Sequence, residues 1–334
     1  MKLIAIEEHF GFGEIGAAGN AETERLCPYF HDSYANAYPL PHVPVPGTMQ
    51  DLGEGRIKDM DEHDIAIQIV SSNSTQLIVD EKEAIEVCKN ANDKLYSIIS
   101  AYPDRLLGYT SLPTINPQAA ADELERCVKE YHFKGANLFG RTNEKFLDDP
   151  IFEPLLAKAE ELDVPLYLHP GFPSEKVTEA CYKGFSDMVT TRFACSAWGW
   201  HADAGVQVIR MILAGVFDRH PNLTIISGHW GEFVPFYLER LDTALPPEIT
   251  KLKQKISDYF QTNIYITPSG MLNQDQLDYC VKTVGIDRIM FSADYPFITN
   301  DGAQEFVEKA NLSQEDKEKF AYKNAMKVFK IDNL

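Results

Sequence analysis

The sequence lacks the features that mark membrane proteins and disulfide-stabilised secreted proteins. It contains no uninterrupted apolar run of about 18 residues, the length that a membrane-spanning helix requires. Its first residues show neither the basic region nor the cleavage site of a secretory signal. Its six cysteines include no Cys-x-x-Cys pair and no regular spacing. We therefore expect a cytoplasmic protein whose cysteines are free thiols.

Positive charge is also scarce. The chain has 31 Lys and Arg residues against 50 Asp and Glu residues, which gives a formal net charge of −19. A surface of this sign repels nucleic-acid phosphates and anionic membranes, so we expect neither as a partner. An anionic small molecule would need a metal ion or well-placed arginines to bind here.

No internal repeat or low-complexity segment is present, and strand and helix patterns instead alternate eight times. Short βα units with apolar strands indicate a parallel sheet covered by helices, and eight of them favour a closed barrel over a doubly wound sheet. We predict an α/β fold, a (β/α)8 TIM barrel, as a single domain over residues 1–334. One long insertion follows strand 1, from Phe10 to about Gly55, and another follows strand 5. The predicted strands are 1–9, 65–72, 106–112, 133–138, 164–169, 223–229, 263–267 and 288–294.

Polar side chains collect where the predicted strands end. The carboxyl ends of the strands form one rim of such a barrel, so residues that are distant in sequence meet there. Strand 1 ends in Glu7-Glu8-His9, and strand alternation places Glu7 and His9 on one face. Glu8 turns to the other face, so we expect it to lie outside the site. The remaining rim residues of interest are His169 on strand 5, His229 on strand 6 and Asp294 on strand 8.

Each rim residue has an ordinary structural interpretation on its own. A lone histidine at a strand end is usually just hydrogen-bonded, and an aspartate before Tyr-Pro is usually a turn former. Chance rarely places several such residues at one rim, so we favour a joint role. Two carboxylates with two imidazoles suit a single divalent cation of the Zn²⁺ and Mn²⁺ class. The predicted ligands are Glu7, His9, His169 and Asp294.

His229 and Glu232 form a second, different pair in the sequence. A helix predicted from Glu232 to Leu241 would place this carboxylate one turn from the imidazole, where it would orient or tune the ring. We interpret the pair as an acid–base device rather than as metal ligands.

Four motifs support a family resemblance. They are Ala5-Ile6-Glu7-Glu8-His9-Phe10, Leu168-His169-Pro170, Gly228-His229-Trp230-Gly231-Glu232 with Arg240 following, and Ser292-Ala293-Asp294-Tyr295-Pro296-Phe297. With them the chain resembles the metal-dependent nonoxidative decarboxylases of the amidohydrolase superfamily, a group that includes γ-resorcylate, 2,3-dihydroxybenzoate, salicylate and 5-carboxyvanillate decarboxylases. Ordinary amidohydrolases are less similar, because they carry His-x-His on strand 1. Binuclear members also have a bridging lysine at the end of strand 4, whereas Lys134 lies at the start of that strand, so we expect one metal ion.

The resemblance implies a reaction and a set of roles. The substrate would be a small aromatic carboxylic acid of the ortho-hydroxybenzoate type, bound through one divalent ion, Zn²⁺ or Mn²⁺ with Mg²⁺ as a further candidate, and no organic cofactor. Asp294 would donate a proton to the ring carbon that bears the carboxylate, with His229 as the rival donor. His229, assisted by Glu232, would handle the phenol proton.

Three further residues are candidates for binding the substrate. Phe297 would line the pocket by resemblance, and the family counterpart of Arg240 reaches a neighbouring subunit, which implies a homodimer or homotetramer. The alternative interpretation of Arg240 is a solvated cation at a helix end. Arg56 is a second candidate for the substrate carboxylate. His201 is expected to cap or pack its helix rather than to bind a ligand.

Two other functions remain open at this point. One is a metal-dependent hydrolase of a cyclic ester or amide that uses a metal-bound water. The other is a barrel that binds an aromatic acid without converting it. An acid–base pair beside a metal is more than binding requires, so the second alternative is less favoured.

Overall fold

Seven parallel β-strands form the centre of the molecule. The computed structural model describes the whole chain, Met1–Leu334. Neighbouring strands in the sheets are also neighbours along the chain. The strands are β1 Leu3–His9, β2 Ile65–Ser71, β3 Leu106–Gly108, β4 Ala136–Phe139, β5 Leu166–His169, β6 Ile225–Ser227 and β7 Ile264–Ile266.

Short bridges close these strands into a barrel. A bridge between Thr110 and Ala136 joins the sheet of β1 to β3 to the sheet of β4 to β7, and a second bridge joins the end of β7 to Ile289. The segment that follows runs beside β1, where the N–H of Ile6 donates to the carbonyl of Phe291 at 3.3 Å. The prediction of a (β/α)8 barrel is confirmed.

The eighth predicted strand, residues 288–294, is not a regular strand. Asp294 has a φ of +64°, a left-handed conformation that does not occur inside a β-strand. Its N–H still donates to the carbonyl of Glu7 at 3.1 Å. The segment therefore fills the eighth position of the barrel while its last residue leaves strand geometry.

Helices cover the outside of the strands. The helices are Gly13–Leu26, Glu54–Glu62, Glu81–Ile99, Pro117–Tyr131, Glu153–Leu162, Glu175–Cys181, Asp187–Ala194, Gly199–Leu213, Val216–Arg219, Leu238–Ala244, Pro247–Thr250, Ile256–Thr262, Gln274–Val284, Ala303–Lys309, Gln314–Glu318 and Asn324–Phe329. None of these helices combines the length and the apolar character that crossing a membrane requires.

The insertion after β1 contains more regular structure than its sequence indicates. It begins with the helix Gly13–Leu26, which buries Ile15 and packs against the helix Glu81–Ile99. Gly13, Gly16 and Gly19 lower its intrinsic helix propensity, which explains why the sequence pattern predicts a loop. A Cβ at Gly19 would lie only 3.1 Å from Leu77 Cβ, so close packing compensates for the weak propensity.

The insertion after β5 packs against the insertion after β1. The Tyr34 hydroxyl lies 2.5 Å from Ser196 Oγ, and the Sγ atoms of Cys27 and Cys195 are 3.7 Å apart. All six cysteines are free thiols. Since both insertions follow strand carboxyl ends, together they form one wall at that end of the barrel.

The opposite, amino-terminal end of the barrel is closed by the end of the chain. Ile4, Ile6 and Tyr109 point into the interior and are buried. Phe329 from the last helix packs against Tyr109 with ring centroids 6.0 Å apart. The packed interior at this end separates it from the carboxyl ends of the strands.

Gly135 is expected to resist replacement by alanine. Its φ is +124°, and a Cβ there would overlap the carbonyl oxygen of Pro165. We expect Gly135→Ala to lower the free energy of unfolding by about 2–4 kcal/mol, because backbone strain and a steric clash combine. Urea unfolding followed by circular dichroism measures the effect. Gly184→Ala is the control, since φ is +105° but no atom lies within 4 Å; equal losses in the two variants would contradict a role for the clash.

Candidate active site

Four side chains from three parts of the barrel meet at its carboxyl-terminal rim. Glu7 and His9 project from β1, His169 from the end of β5, and Asp294 from the eighth segment. Their ligand atoms all lie within 4.8 Å of one another, and all four residues are buried. His9 Nε2 is 3.1 Å from Asp294 Oδ1, and His169 Nε2 is 3.7 Å from Glu7 Oε1. The structure thus brings together the four residues predicted as metal ligands, which we call the ligand cluster.

The central atoms of the ligand cluster have no partner within the protein. Glu7 Oε1, His9 Nε2 and Asp294 Oδ1 are buried and form no hydrogen bond. Buried polar atoms without partners are costly, and a buried carboxylate needs a compensating charge. A divalent cation would pair all of these atoms, and two carboxylate oxygens with two imidazole nitrogens form a donor set for Zn²⁺ or Mn²⁺. The residues present therefore fit a single metal ion.

The other carboxylate oxygen of Glu7 is held in place by hydroxyl groups. Glu7 Oε2 accepts hydrogen bonds from Tyr167 and Ser269, which leaves Oε1 to face the cluster. Burial raises the pKa of Glu7. Gly228 makes this arrangement possible, because a Cβ there would lie 2.6 Å from the Tyr167 hydroxyl and 2.8 Å from Ser269 Oγ.

Both histidines of the ligand cluster are oriented through Nδ1. The Nδ1–H of His169 donates to the carbonyl of Pro170 at 2.7 Å, and burial lowers the pKa of His169 well below its usual value. His9 Nδ1 lies 3.2 Å from Ser71 Oγ, which also accepts from Asn137 Nδ2 at 2.9 Å. Each ring therefore presents Nε2 to the cluster, as a metal-binding histidine does when its other nitrogen is hydrogen-bonded.

Glu8 faces away from the ligand cluster and is not one of its members, as predicted, but it supports the site from the other face. Its carboxylate accepts hydrogen bonds from the N–H groups of Ala293 and Tyr295, both at 3.0 Å. These two N–H groups stand on either side of Asp294. Burial raises the pKa of Glu8, while the Ala293 N–H, the Arg56 guanidinium and the Tyr295 N–H act in the opposite direction. Glu8 thus fixes the backbone that carries a predicted metal ligand.

Arg56 does not reach the open side of the site. The residue is 1% exposed. Its three guanidinium nitrogens donate to the carbonyl of Asp51 at 2.8 Å, to Gln68 Oε1 at 3.1 Å and to the carbonyl of His9 at 2.5 Å. Since every nitrogen is engaged with a protein atom, the prediction that Arg56 binds a substrate carboxylate is wrong. Its role is to support the end of β1 from beneath.

His229 and Glu232 form the second predicted pair. His229 Nδ1 lies 2.8 Å from Glu232 Oε1, and the two side chains are 11% and 0% exposed. Burial disfavours a charged imidazole, but the carboxylates of Glu232 and Glu7 outweigh it and raise the pKa of His229 to about 9. Burial also acts to raise the pKa of Glu232, yet the neighbouring histidines outweigh it and lower that pKa. These two shifts favour an imidazolium–carboxylate ion pair between His229 and Glu232.

A left-handed turn, not the predicted helix, brings these two residues together. His229, Trp230 and Gly231 have φ values of 47°, 58° and 75°, and the next regular helix begins only at Leu238. Successive left-handed residues are rare because the Cβ atom crowds the following carbonyl, so helix patterns cannot predict them. Backbone strain of this kind is concentrated at functional sites.

His201 is a member of this group that the sequence did not identify. Its Nδ1 lies 3.0 Å from Glu232 Oε2, and its ring centroid is 4.3 Å from that of His229. The residue does lie in the first turn of the helix Gly199–Leu213, as expected, but its ring turns toward the site. Positions 201 and 232 belong to connections after different strands, so no sequence spacing links them.

Aromatic rings line the space beside the ligand cluster. The Phe297 ring lies 5.4 Å from the His9 ring, which places this predicted residue at the site. The Phe139 ring, which the sequence did not single out, lies 4.3 Å from the His169 ring. The rings of His169 and His229 are 6.3 Å apart, so the ligand cluster and the acid–base pair face the same space.

Arg240 is exposed on the helix Leu238–Ala244 and is not a member of either cluster. The preceding residues Phe236 and Tyr237 are 60% and 62% exposed. The proposed action of Arg240 on a neighbouring subunit stays a prediction.

We expect Glu8→Gln to weaken metal binding although Glu8 does not face the cluster. An amide offers one acceptor oxygen in place of two, so one N–H beside Asp294 loses its partner. Loss of such a supporting hydrogen bond should reduce Mn²⁺ affinity by about 10- to 100-fold, which calorimetric titration of the metal-free protein measures. Glu86→Gln, on an exposed helix face, is the control and should bind as the wild type does. Unchanged affinity in Glu8→Gln would show that Asp294 holds its position without Glu8.

Comparison with known proteins agrees with this geometry. The amidohydrolase family matches residues 60–331. A γ-resorcylate decarboxylase of Rhizobium sp. is 35% identical over 295 residues, 84% of this chain and 88% of the relative. A dihydroxybenzoic acid decarboxylase of Polaromonas sp., solved with manganese and the inhibitor 2-nitroresorcinol, has a TM-score of 0.84 at 31% identity and covers 100% of this chain and 98% of its own.

A second solved structure extends the similarity. A 5-carboxyvanillate decarboxylase of Novosphingobium aromaticivorans, with bound manganese, has a TM-score of 0.90 at 28% identity and covers 99% of this chain and 97% of its own. The chain therefore belongs to the amidohydrolase family and, within it, to the metal-dependent nonoxidative decarboxylases.

Proposed function

We propose that this protein catalyses the nonoxidative decarboxylation of a hydroxylated aromatic acid of the ortho-hydroxybenzoate type. The observation that carries the proposal is that two buried sets of residues, the ligand cluster and the His229–Glu232 pair, lie together at one end of the barrel. The ligand cluster has unpaired atoms that suit a cation, and the ion pair of His229 and Glu232 holds a proton. Phe297 and Phe139 flank this space with rings suited to a flat substrate.

Glu7, His9, His169 and Asp294 would hold the metal ion. Mn²⁺ is the first choice, because two related decarboxylases are solved with manganese, with Zn²⁺ next and Mg²⁺ third. When bound, the ion would supply positive charge to attract the carboxylate and neighbouring phenolic oxygen of the substrate into a strongly acidic protein.

The residues around the ion would transfer a proton to the substrate. In the reaction the bond between the ring carbon and the carboxylate breaks, carbon dioxide leaves, and a proton takes its place on the ring carbon. We assign the delivery of this proton to Asp294, which would be ionised as a metal ligand and would first take the proton from the substrate phenol, with His229 as the rival donor. The charged His229, held by Glu232, stabilises negative charge on the phenolic oxygen and returns the phenol proton.

We further propose a cytoplasmic homodimer or homotetramer in which Arg240 completes the site of a neighbouring subunit. Arg240 is exposed beside two exposed aromatic residues, Phe236 and Tyr237, which suits a subunit contact. Arg56 is engaged below β1 and is not free to bind the substrate carboxylate, which favours Arg240 for that role.

The substrate class can be tested with a panel of aromatic acids. Manganese-loaded protein should release carbon dioxide from 2,6-dihydroxybenzoate, 2,3-dihydroxybenzoate, salicylate or 5-carboxyvanillate. It should leave 4-hydroxybenzoate unchanged, because that acid lacks the ortho hydroxyl. Asp294→Asn should lower kcat by at least about 100-fold in samples whose metal content matches the wild type, whereas Asp332→Asn, near the exposed carboxyl terminus, should retain activity. Cleavage of a lactone without turnover of any acid in the panel would support the hydrolase alternative instead.

The role of Arg240 can be tested by mixing two impaired variants and measuring turnover at low substrate concentration. Arg240→Ala should raise KM by about 10- to 100-fold, the effect of losing a charge-assisted contact to a carboxylate. If Arg240 acts across subunits, a hybrid of Arg240→Ala and Asp294→Asn chains contains one intact site and regains activity. Sedimentation establishes that the chains associate. Hybrids without activity would place Arg240 outside the neighbouring site.

A further inference from the structure

His201, Glu232 and His229 form a continuous hydrogen-bonded row, which we call the proton row. Glu232 is the middle member, with His229 Nδ1 2.8 Å from Oε1 and His201 Nδ1 3.0 Å from Oε2. Its side chain is 0% exposed, and the His201 side chain is 12% exposed. Both oxygens of a buried carboxylate are thus engaged by imidazole nitrogens from two different elements.

The proton row differs from the ligand cluster in whether its polar atoms have hydrogen-bond partners. The ligand cluster leaves three atoms without hydrogen-bond partners, whereas each nitrogen and oxygen that joins the members of the proton row is paired. The two groups therefore suit different occupants, a cation in the first and shared protons in the second.

Neighbouring groups fix the orientation of the His201 ring. The indole N–H of Trp200 donates to His201 Nε2 at 2.9 Å, so Nε2 accepts and Nδ1–H donates to Glu232. The carbonyl of Ser196 lies 3.0 Å from the same Nε2. The Tyr34 hydroxyl in turn holds Ser196. Both insertions thus contribute to the placement of His201.

The helix that carries His201 also approaches Glu232 closely. A Cβ at Gly205 would lie 2.5 Å from the carbonyl oxygen of Glu232, so glycine at this position permits the contact. The rings of His201 and His229 meet edge to face at 4.3 Å. The helix of His201 thus restrains the Glu232 backbone, while the His201 ring contacts both the Glu232 carboxylate and the His229 ring.

We propose that His201 is a positioning residue of the acid–base pair, which holds the Glu232 carboxylate in the orientation that His229 requires. The inference rests on the proposed function. When His229 passes its proton to the substrate, Glu232 is left as a buried carboxylate beside a neutral ring. The Nδ1–H of His201 then remains as a donor to that carboxylate, so Glu232 stays charged and in place until the proton returns.

Two substitutions separate the hydrogen bond of His201 from its bulk. His201→Asn places an amide N–H near the position of Nδ1 and keeps the donor, whereas His201→Ala removes it. We expect His201→Ala to lower kcat by about 10- to 100-fold with KM within about 3-fold of the wild type, and His201→Asn to recover most of the loss. His63→Ala is the control, because His63 pairs with Asp59 and Asp301 away from the site.

A second readout does not depend on turnover. In protein loaded with diamagnetic Zn²⁺, the Nδ1–H protons of His229 and His201 should each give a downfield proton resonance, since both donate to a carboxylate. His229→Gln and His201→Asn assign the two signals. We expect the His229 signal to persist in His201→Asn and to broaden or vanish in His201→Ala, because a released Glu232 side chain lets water exchange that proton.

The two readouts distinguish the failure of this inference from the failure of the proposed function. An unchanged His229 resonance in His201→Ala, together with kcat within about 2-fold of the wild type, would overturn the positioning role. If wild-type protein converts none of the aromatic acids, the proposed function fails, and the resonances alone still decide whether His201 holds Glu232. Similar losses in His201→Ala and His201→Asn would show that the ring's packing, rather than its donor, matters.

Discussion

The main constraint on this structure is the burial of four carboxylates at one end of a barrel in an acidic protein. Glu7, Glu8, Glu232 and Asp294 are each at most 8% exposed. Such groups are stable only when an opposite charge or hydrogen-bond donors offset the cost of removing them from water. The chain meets this requirement in three ways. Glu7 and Asp294 have unpaired atoms that suit a cation, Glu8 has backbone N–H groups and the Arg56 guanidinium nearby, and Glu232 has two imidazoles. The proposed division between metal binding and proton transfer follows from which carboxylate has which partner.

Much of the ligand cluster could be predicted from sequence because it depends on strand ends. Strand alternation and the common rim of a parallel barrel bring Glu7, His9 and His169 together whatever the details of the loops. Asp294 meets them through an irregular segment, but its position in the eighth unit was sufficient to place it. The sequence could also identify the pairing of His229 with Glu232, although it gave the wrong local geometry for it.

The remaining features depend on contacts that no local pattern records. Arg56 belongs to the helix Glu54–Glu62, and only the folded chain shows its guanidinium turned under β1. Glu8 acts on backbone groups 285 and 287 residues away, and His201 acts on a carboxylate 31 residues away. Strand alternation correctly predicts the direction of the Glu8 side chain, but it contains no information about which hydrogen-bond donors lie on that side. Long-range hydrogen bonds of this kind become visible only with coordinates.

The contact between the two insertions has a consequence for the divergence of substrate preference among relatives. The predicted metal ligands lie on β1, on β5 and in the eighth segment, whereas the wall above them is shared by segments that join at Cys27 with Cys195 and at Tyr34 with Ser196. The two insertions contact one another, so a substitution in one of them is expected to disturb the other. Ser196 also touches His201, which ties the same wall to proton transfer. Specificity and rate in this barrel are therefore expected to evolve together rather than as separate modules.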